Sequence, residues 1–90
     1  MADLEQMIQA GAKIIDVRSP EEFSEEAYPN AVNIPVDEMM GRMSEFGEKD
    51  KPLVLYCASG ARSAYAARIL KNAGYTNVVN AGGLYDMPGL

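Results

Sequence analysis

The chain has 90 residues, 48% hydrophobic and 23% charged, which suits one soluble globular domain with a small core. Its net charge of −5, with eight basic residues scattered singly, argues against a nucleic-acid backbone as partner. It contains no histidine and one cysteine, which excludes Cys–His and Ser–His–Asp catalysis, His-containing zinc sites, internal disulfides and Cys-x-x-Cys redox pairs.

Asp3 followed by Gln6 forms a capping pair, and Leu4, Met7 and Ile8 share one helical face before Gly11 stops the turn. Lys13-Ile14-Ile15-Asp16-Val17 reads as a buried strand. Ser19-Pro20-Glu21-Glu22 starts a second helix, with Ser at the N-cap, Pro in the first turn and Glu three residues after the cap; Pro29 and Asn30 cut it short. Ala31–Ile34 reads as a short strand ending at Pro35. Asp37 is expected to cap a helix that turns Met39, Met40, Met43 and Phe46 to the core and ends at Gly47; the methionines read as core, not as a cofactor box. Pro52–Tyr56 is the clearest strand. It leads through Cys57–Ser63 into a helix running to about Ala73, with Ala66, Ile69, Leu70 and Ala73 as its apolar stripe and Gly74 as its cap. Asn77–Asn80 reads as a last strand, followed by Gly82-Gly83.

Strands alternating with helices predict an α/β domain: a small parallel sheet of four to five strands with helices on both faces. Residues 1–90 form one domain in this reading. No apolar run is long enough to span a bilayer, and Met1-Ala-Asp-Leu-Glu lacks the basic-then-apolar signature of a signal peptide, so a cytoplasmic location without membrane contact is expected. Sites in such sheets lie beyond the carboxyl ends of the strands, where Asp16–Arg18, Pro35–Asp37 and Cys57–Ser63 all fall.

Cys57 is the candidate nucleophile. A lone cysteine is more often a small buried hydrophobe, but this one sits between a buried strand and a helix start, where free amides and the helix dipole favour a thiolate without any histidine base. Ala58, Ser59, Gly60 and Ala61 are small enough for the backbone to curl around an anion, and Gly60 can take a positive φ. Arg62 adds a cation suited to orienting an anionic donor, and Ser59 and Ser63 add hydroxyls. Asp16 and Arg18 are expected to tie the strand end to this loop.

Four segments in order resemble the rhodanese homology domain over nearly the whole chain: Ile15–Phe23, Ala31–Pro35, Leu53–Ser63, and Ala73–Val78 with Gly82-Gly83. The resemblance implies a Cys57 thiolate that attacks a sulfane sulfur donor, carries the sulfur as a persulfide and passes it to a thiol, cyanide or another nucleophile by double displacement. Small sulfur donors and thiol acceptors, including a thioredoxin-like or other sulfur-accepting protein, are the implied partners; no cofactor or metal is implied. Related phosphatases separate cysteine and arginine by five residues, whereas four lie between Cys57 and Arg62, which suits one sulfur atom better than a tetrahedral anion.

The chain also departs from the family pattern. Ala58 stands where a basic residue often follows the cysteine. Glu26, Ala27 and Tyr28 replace a Gly-His-Ile run, Asn30 replaces a glycine, and Met87 stands near the place of an aromatic residue. The family's usual first strand is missing or trimmed. Two rival readings remain open: a non-enzymatic persulfide carrier or docking module, and a phosphatase or arsenate reductase of related fold.

Overall fold

In the computed structural model, which describes residues 3–90, four strands form one sheet: β1 (Lys13–Asp16), β2 (Val32–Asn33), β3 (Leu53–Cys57) and β4 (Val78–Gly83). All neighbours are parallel, in the order β2-β1-β3-β4. The central strand β3 is buried at every position, because a parallel strand covered on both faces has no solvent side. Its side chains alternate between two cores. Leu53, Leu55 and Cys57 join Ile15, Val17, Ile34, Phe46 and Leu70 on one face; Val54 and Tyr56 join Ile14, Leu84 and Met87 on the other.

Among the described residues are three α-helices, α1 (Leu4–Gln9), α2 (Pro20–Glu25) and α3 (Ala61–Asn72), of which α1 and α3 cover the two faces. Both N-terminal predictions hold in detail, since Asp3 with Gln6 and Ser19 with Glu22 each close a reciprocal capping box. Leu4, Met7 and Ile8 of α1 pack on the Val54–Tyr56 face, and Ala66, Ala67 and Leu70 of α3 on the other. At the end of α3, the Tyr75 amide donates to Leu70 and the Gly74 amide to Lys71, with Gly74 at φ +103°; this is a Schellman stop, placing the glycine one residue past the C-cap Ala73.

Three expectations need correction. The segment Met39–Phe46 is 3-10 rather than α, interrupted at Arg42, and its N-cap is Glu38 rather than Asp37, without any side-chain cap bond. The reason lies upstream: the Glu38 amide already donates to Pro35 O in a preceding turn, which sets the entry to the segment one residue later. Met40 points outward at 71% exposure, because a 3-10 turn does not repeat the α-helical spacing that would place it inward; Met39 and Phe46 are buried as expected. Finally, β4 does not end before the glycine pair but continues through it. Gly83 pairs with Cys57 across a register irregularity, and a side chain there would lie 2.2 Å from Ala58 O. Glycine here permits a close approach and does not break the strand.

Candidate active site

Backbone continuity alone carries Cys57 to the mouth of the sheet, at the carboxyl end of β3. Three residues on, Gly60 turns the chain at φ +100° and becomes the N-cap of α3. A glycine cap has no side-chain oxygen to serve the first amides of the helix, and Cys57 Sγ takes that place. It accepts from the Gly60 amide at 3.0 Å and from the Ser63 amide at 3.4 Å, with the Ser63 hydroxyl also at 3.4 Å. Burial pushes the thiol up, but the Ser63 hydroxyl and amide, with the Gly60 and Ser59 amides, outweigh it and hold the thiol below its ordinary value. The sulfur is therefore prepared as a thiolate by hydrogen bonds from its own loop.

The loop has little room to widen. A side chain on Gly60 would meet Gly82 Cα at 3.3 Å, and Ala58 O abuts Gly83. Asn80 ties the two sides together: its amide nitrogen donates to Gly60 O at 3.2 Å, and its oxygen accepts from the Gly82 amide at 3.0 Å and, 2.6 Å from the Ser63 hydroxyl, shares that group's single proton with Cys57 Sγ. Asp86 fixes the β4 side alone, by accepting from the Gly83 amide at 2.7 Å. Sequence reasoning misses both Asn80 and Asp86. The one sequence signal for Asn80 is an Asx-type residue two positions before a glycine, the pattern of a local side-chain turn.

Ala58, Ser59 and Ala61 are exposed around the rim, and Ser63 is fully buried beneath the sulfur. Arg62 does not stand free over the sulfur, as expected of a donor-orienting cation. Both its terminal nitrogens bind Glu22, at 2.8 and 3.1 Å, and the same carboxylate accepts from the Ser19 amide at 3.1 Å. This fork brings Glu22 down to about 2, with Arg62 the main cause and the Ser19 amide the next. Arg62 is raised in turn, chiefly by Glu22 and in smaller part by the Cys57 sulfur. Beyond the capping role legible in sequence, Glu22 thus has a partner forty residues further along the chain.

Asp16 and Arg18 form a buried pair, fully and nearly fully enclosed. Asp16 accepts from the Arg18 amide at 2.8 Å and from its guanidinium at 2.7 to 3.1 Å. The guanidinium lies over the Tyr56 ring and donates to Glu26 O at 2.6 Å. The pair thus ties β1 to the end of α2, not to the Cys57 loop as expected. Arg18 reaches the loop only as one wall of a depression of about 270 Å³, which it lines with Glu22, Glu25, Glu26, Ala58, Leu84 and Tyr85. A second depression of about 290 Å³, lined by Val17, Ser19, Pro35, Val36, Asp37 and Arg62, gathers the other strand ends. Glu22 faces the first and Arg62 the second, so their ion pair stands between the two.

Comparison with known proteins agrees with this geometry. The rhodanese-like domain profile matches residues 1–86. The thiosulfate sulfurtransferase PspE of Escherichia coli is 42% identical over 74 residues, covering 81% of this chain and 71% of that protein. A sulfurtransferase of Allochromatium vinosum is 37% identical over 83 residues, covering 92% and 72%. Among solved structures, an E. coli rhodanese with anions superimposes with a TM-score of 0.81 at 39% identity, covering 87% of this chain and 93% of the other. The human single-domain sulfurtransferase TSTD1 gives 0.82 at 30% identity, covering 91% and 85%. The profile over residues 1–86, the relatives and the superposed structures agree: the chain belongs to the rhodanese-like domain family.

Proposed function

We propose that this chain is a sulfurtransferase in which Cys57 is nucleophile and sulfur carrier. The Cys57 thiolate attacks the sulfane sulfur of a donor; a new S–S bond forms as the donor's S–S bond breaks, and the electron pair leaves with sulfite or a thiolate. The persulfide keeps one negative charge, which the loop amides are already oriented to receive. A thiolate or cyanide acceptor then attacks the outer sulfur, and Cys57 departs as the thiolate it began as. Sulfur moves from donor to acceptor without net redox change in the protein, so one cysteine is enough.

The observation that carries this reading is the sulfur held by the Gly60 and Ser63 amides in a loop that Gly82, Gly83 and Asn80 keep narrow. That narrowness, with four residues between Cys57 and Arg62, favours sulfur over a phosphoryl or arsenate group. Intact mass after incubation with thiosulfate or polysulfide tests it. The expected result is a gain of about 32 Da that a thiol reverses and that Cys57→Ser lacks. Folded protein that gains no sulfur from either donor would refute the reading.

A further inference from the structure

We propose that the carboxylates around the Cys57 loop select the donor by charge: the site favours an alkyl persulfide with an uncharged or amine-bearing body over a dianion such as thiosulfate. Glu22 is the positioning residue that withholds the charge of Arg62. The inference rests on the persulfide chemistry proposed above and names the donor class for that same site.

The charges around the loop lead to it. The depression that reaches the loop at Ala58 is walled by three glutamates and one arginine. Arg18 is compensated by Asp16, and Arg62 by Glu22. Among the described residues Glu25 and Glu26 have no ion-pair partner: Arg18 meets the Glu26 backbone carbonyl, and the Glu26 carboxylate is met only by the Tyr85 hydroxyl. An approaching donor therefore meets two uncompensated carboxylates, and Ala58 at the rim supplies no cation against them. Leu84 and Tyr85 complete the wall with apolar surface suited to an alkyl chain, and an amine on that chain would find Glu25 and Glu26 beside it. The transfer balances as before. The Cys57 thiolate attacks the terminal sulfur of R–S–S⁻, the donor's S–S bond breaks, and R–S⁻ leaves with the electron pair and takes a proton from water.

A charge series with one reacting group tests this. As R–S–S⁻ anions the persulfides of cysteamine, 2-mercaptoethanol and 3-mercaptopropionate carry net charges of about 0, −1 and −2, and thiosulfate is a second dianion without an alkyl body. Loading of Cys57 is followed by intact mass at low and high ionic strength. The wild-type rate is expected to fall about tenfold for each added negative charge at low salt, and the spread to shrink at high salt. Ala58→Lys, at an exposed position, is expected to raise the rate ratio of thiosulfate to cysteamine persulfide about tenfold. Glu22→Gln should raise that ratio too, whereas Glu22→Asp, which keeps the charge, should restore it. Equal rates across the series, unmoved by salt and by Ala58→Lys, would overturn the charge selection while leaving the persulfide chemistry standing. No loading from any of the four donors would overturn the chemistry itself.

Discussion

Replacing Gly83 by alanine tests the narrowness of the loop with a single methyl group. The backbone of Gly83 is extended, at φ −96°, so alanine meets no conformational penalty there. The whole effect comes from contact: the new Cβ would lie 2.2 Å from Ala58 O and 3.0 Å from Ala58 C. An ordinary contact needs about 1 Å more, and neither side yields easily, since both are backbone. β4 is held by the Gly83 amide on Asp86 at 2.7 Å, and Ala58 follows directly on buried Cys57. Overpacking of this kind costs about 1–3 kcal/mol, and each kcal/mol lowers Tm by about 4–8 °C in a domain of this size. If the Cys57 loop moves instead, a displacement of about 1 Å can lower the sulfur-loading rate about a hundredfold. Gly41→Ala is the control: it also lacks a positive φ, and its added methyl meets nothing within 4 Å. Thermal melts and thiosulfate loading of the two variants side by side make the comparison. A Gly83→Ala protein that melts and loads like Gly41→Ala would refute the claim that the glycine pair sets the width of the site.

Ser63→Ala removes the strongest of the influences that hold the Cys57 thiol down and leaves burial, which pushes it up, in place. The midpoint of the pH profile for iodoacetamide alkylation should therefore move to higher pH, and alkylation at neutral pH should slow; an unchanged midpoint would count against the hydroxyl. Asp16→Asn leaves the Arg18 guanidinium enclosed without its counter-charge and should cost about 3 kcal/mol in urea unfolding. Adding Arg18→Met to that variant should recover part of the loss, because the unmatched charge goes with it; two additive losses would speak against the pairing.

Features set by near neighbours along the chain are legible in the sequence. Both capping boxes, the central strand, the strand–loop–helix around Cys57 and the positive φ at Gly60 depend on residues within a few positions of one another, and each appears where the chain places it. Asn30, which replaces a glycine of the family pattern, takes the left-handed conformation at φ +68°, which asparagine tolerates better than most residues. What stays hidden depends on pairs far apart in the chain. Glu22 has a complete local role as a cap, so nothing in its surroundings points to Arg62. Asn80 looks like the end of a strand because its partners, Gly60 and Ser63, lie 20 and 17 residues earlier. Gly82-Gly83 looks like punctuation because the reason for the glycines is the carbonyl of another segment. The 3-10 segment misleads through its period: Met39, Met43 and Phe46 fit helical spacing well enough that exposed Met40 is counted with them.

The sulfur that serves as the missing cap of α3 couples folding to chemistry. A thiolate is a stronger hydrogen-bond acceptor than a thiol, so ionisation of Cys57 tightens the first turn of the helix, and a bulky covalent block on that atom loosens it. The redox and loading state of one atom is therefore also a conformational signal, readable as amide exchange at Gly60 and Ser63. The same coupling decides how a silent variant should be built. Serine at position 57 keeps an acceptor under the helix, whereas alanine leaves those two amides without one and confounds lost chemistry with a frayed helix.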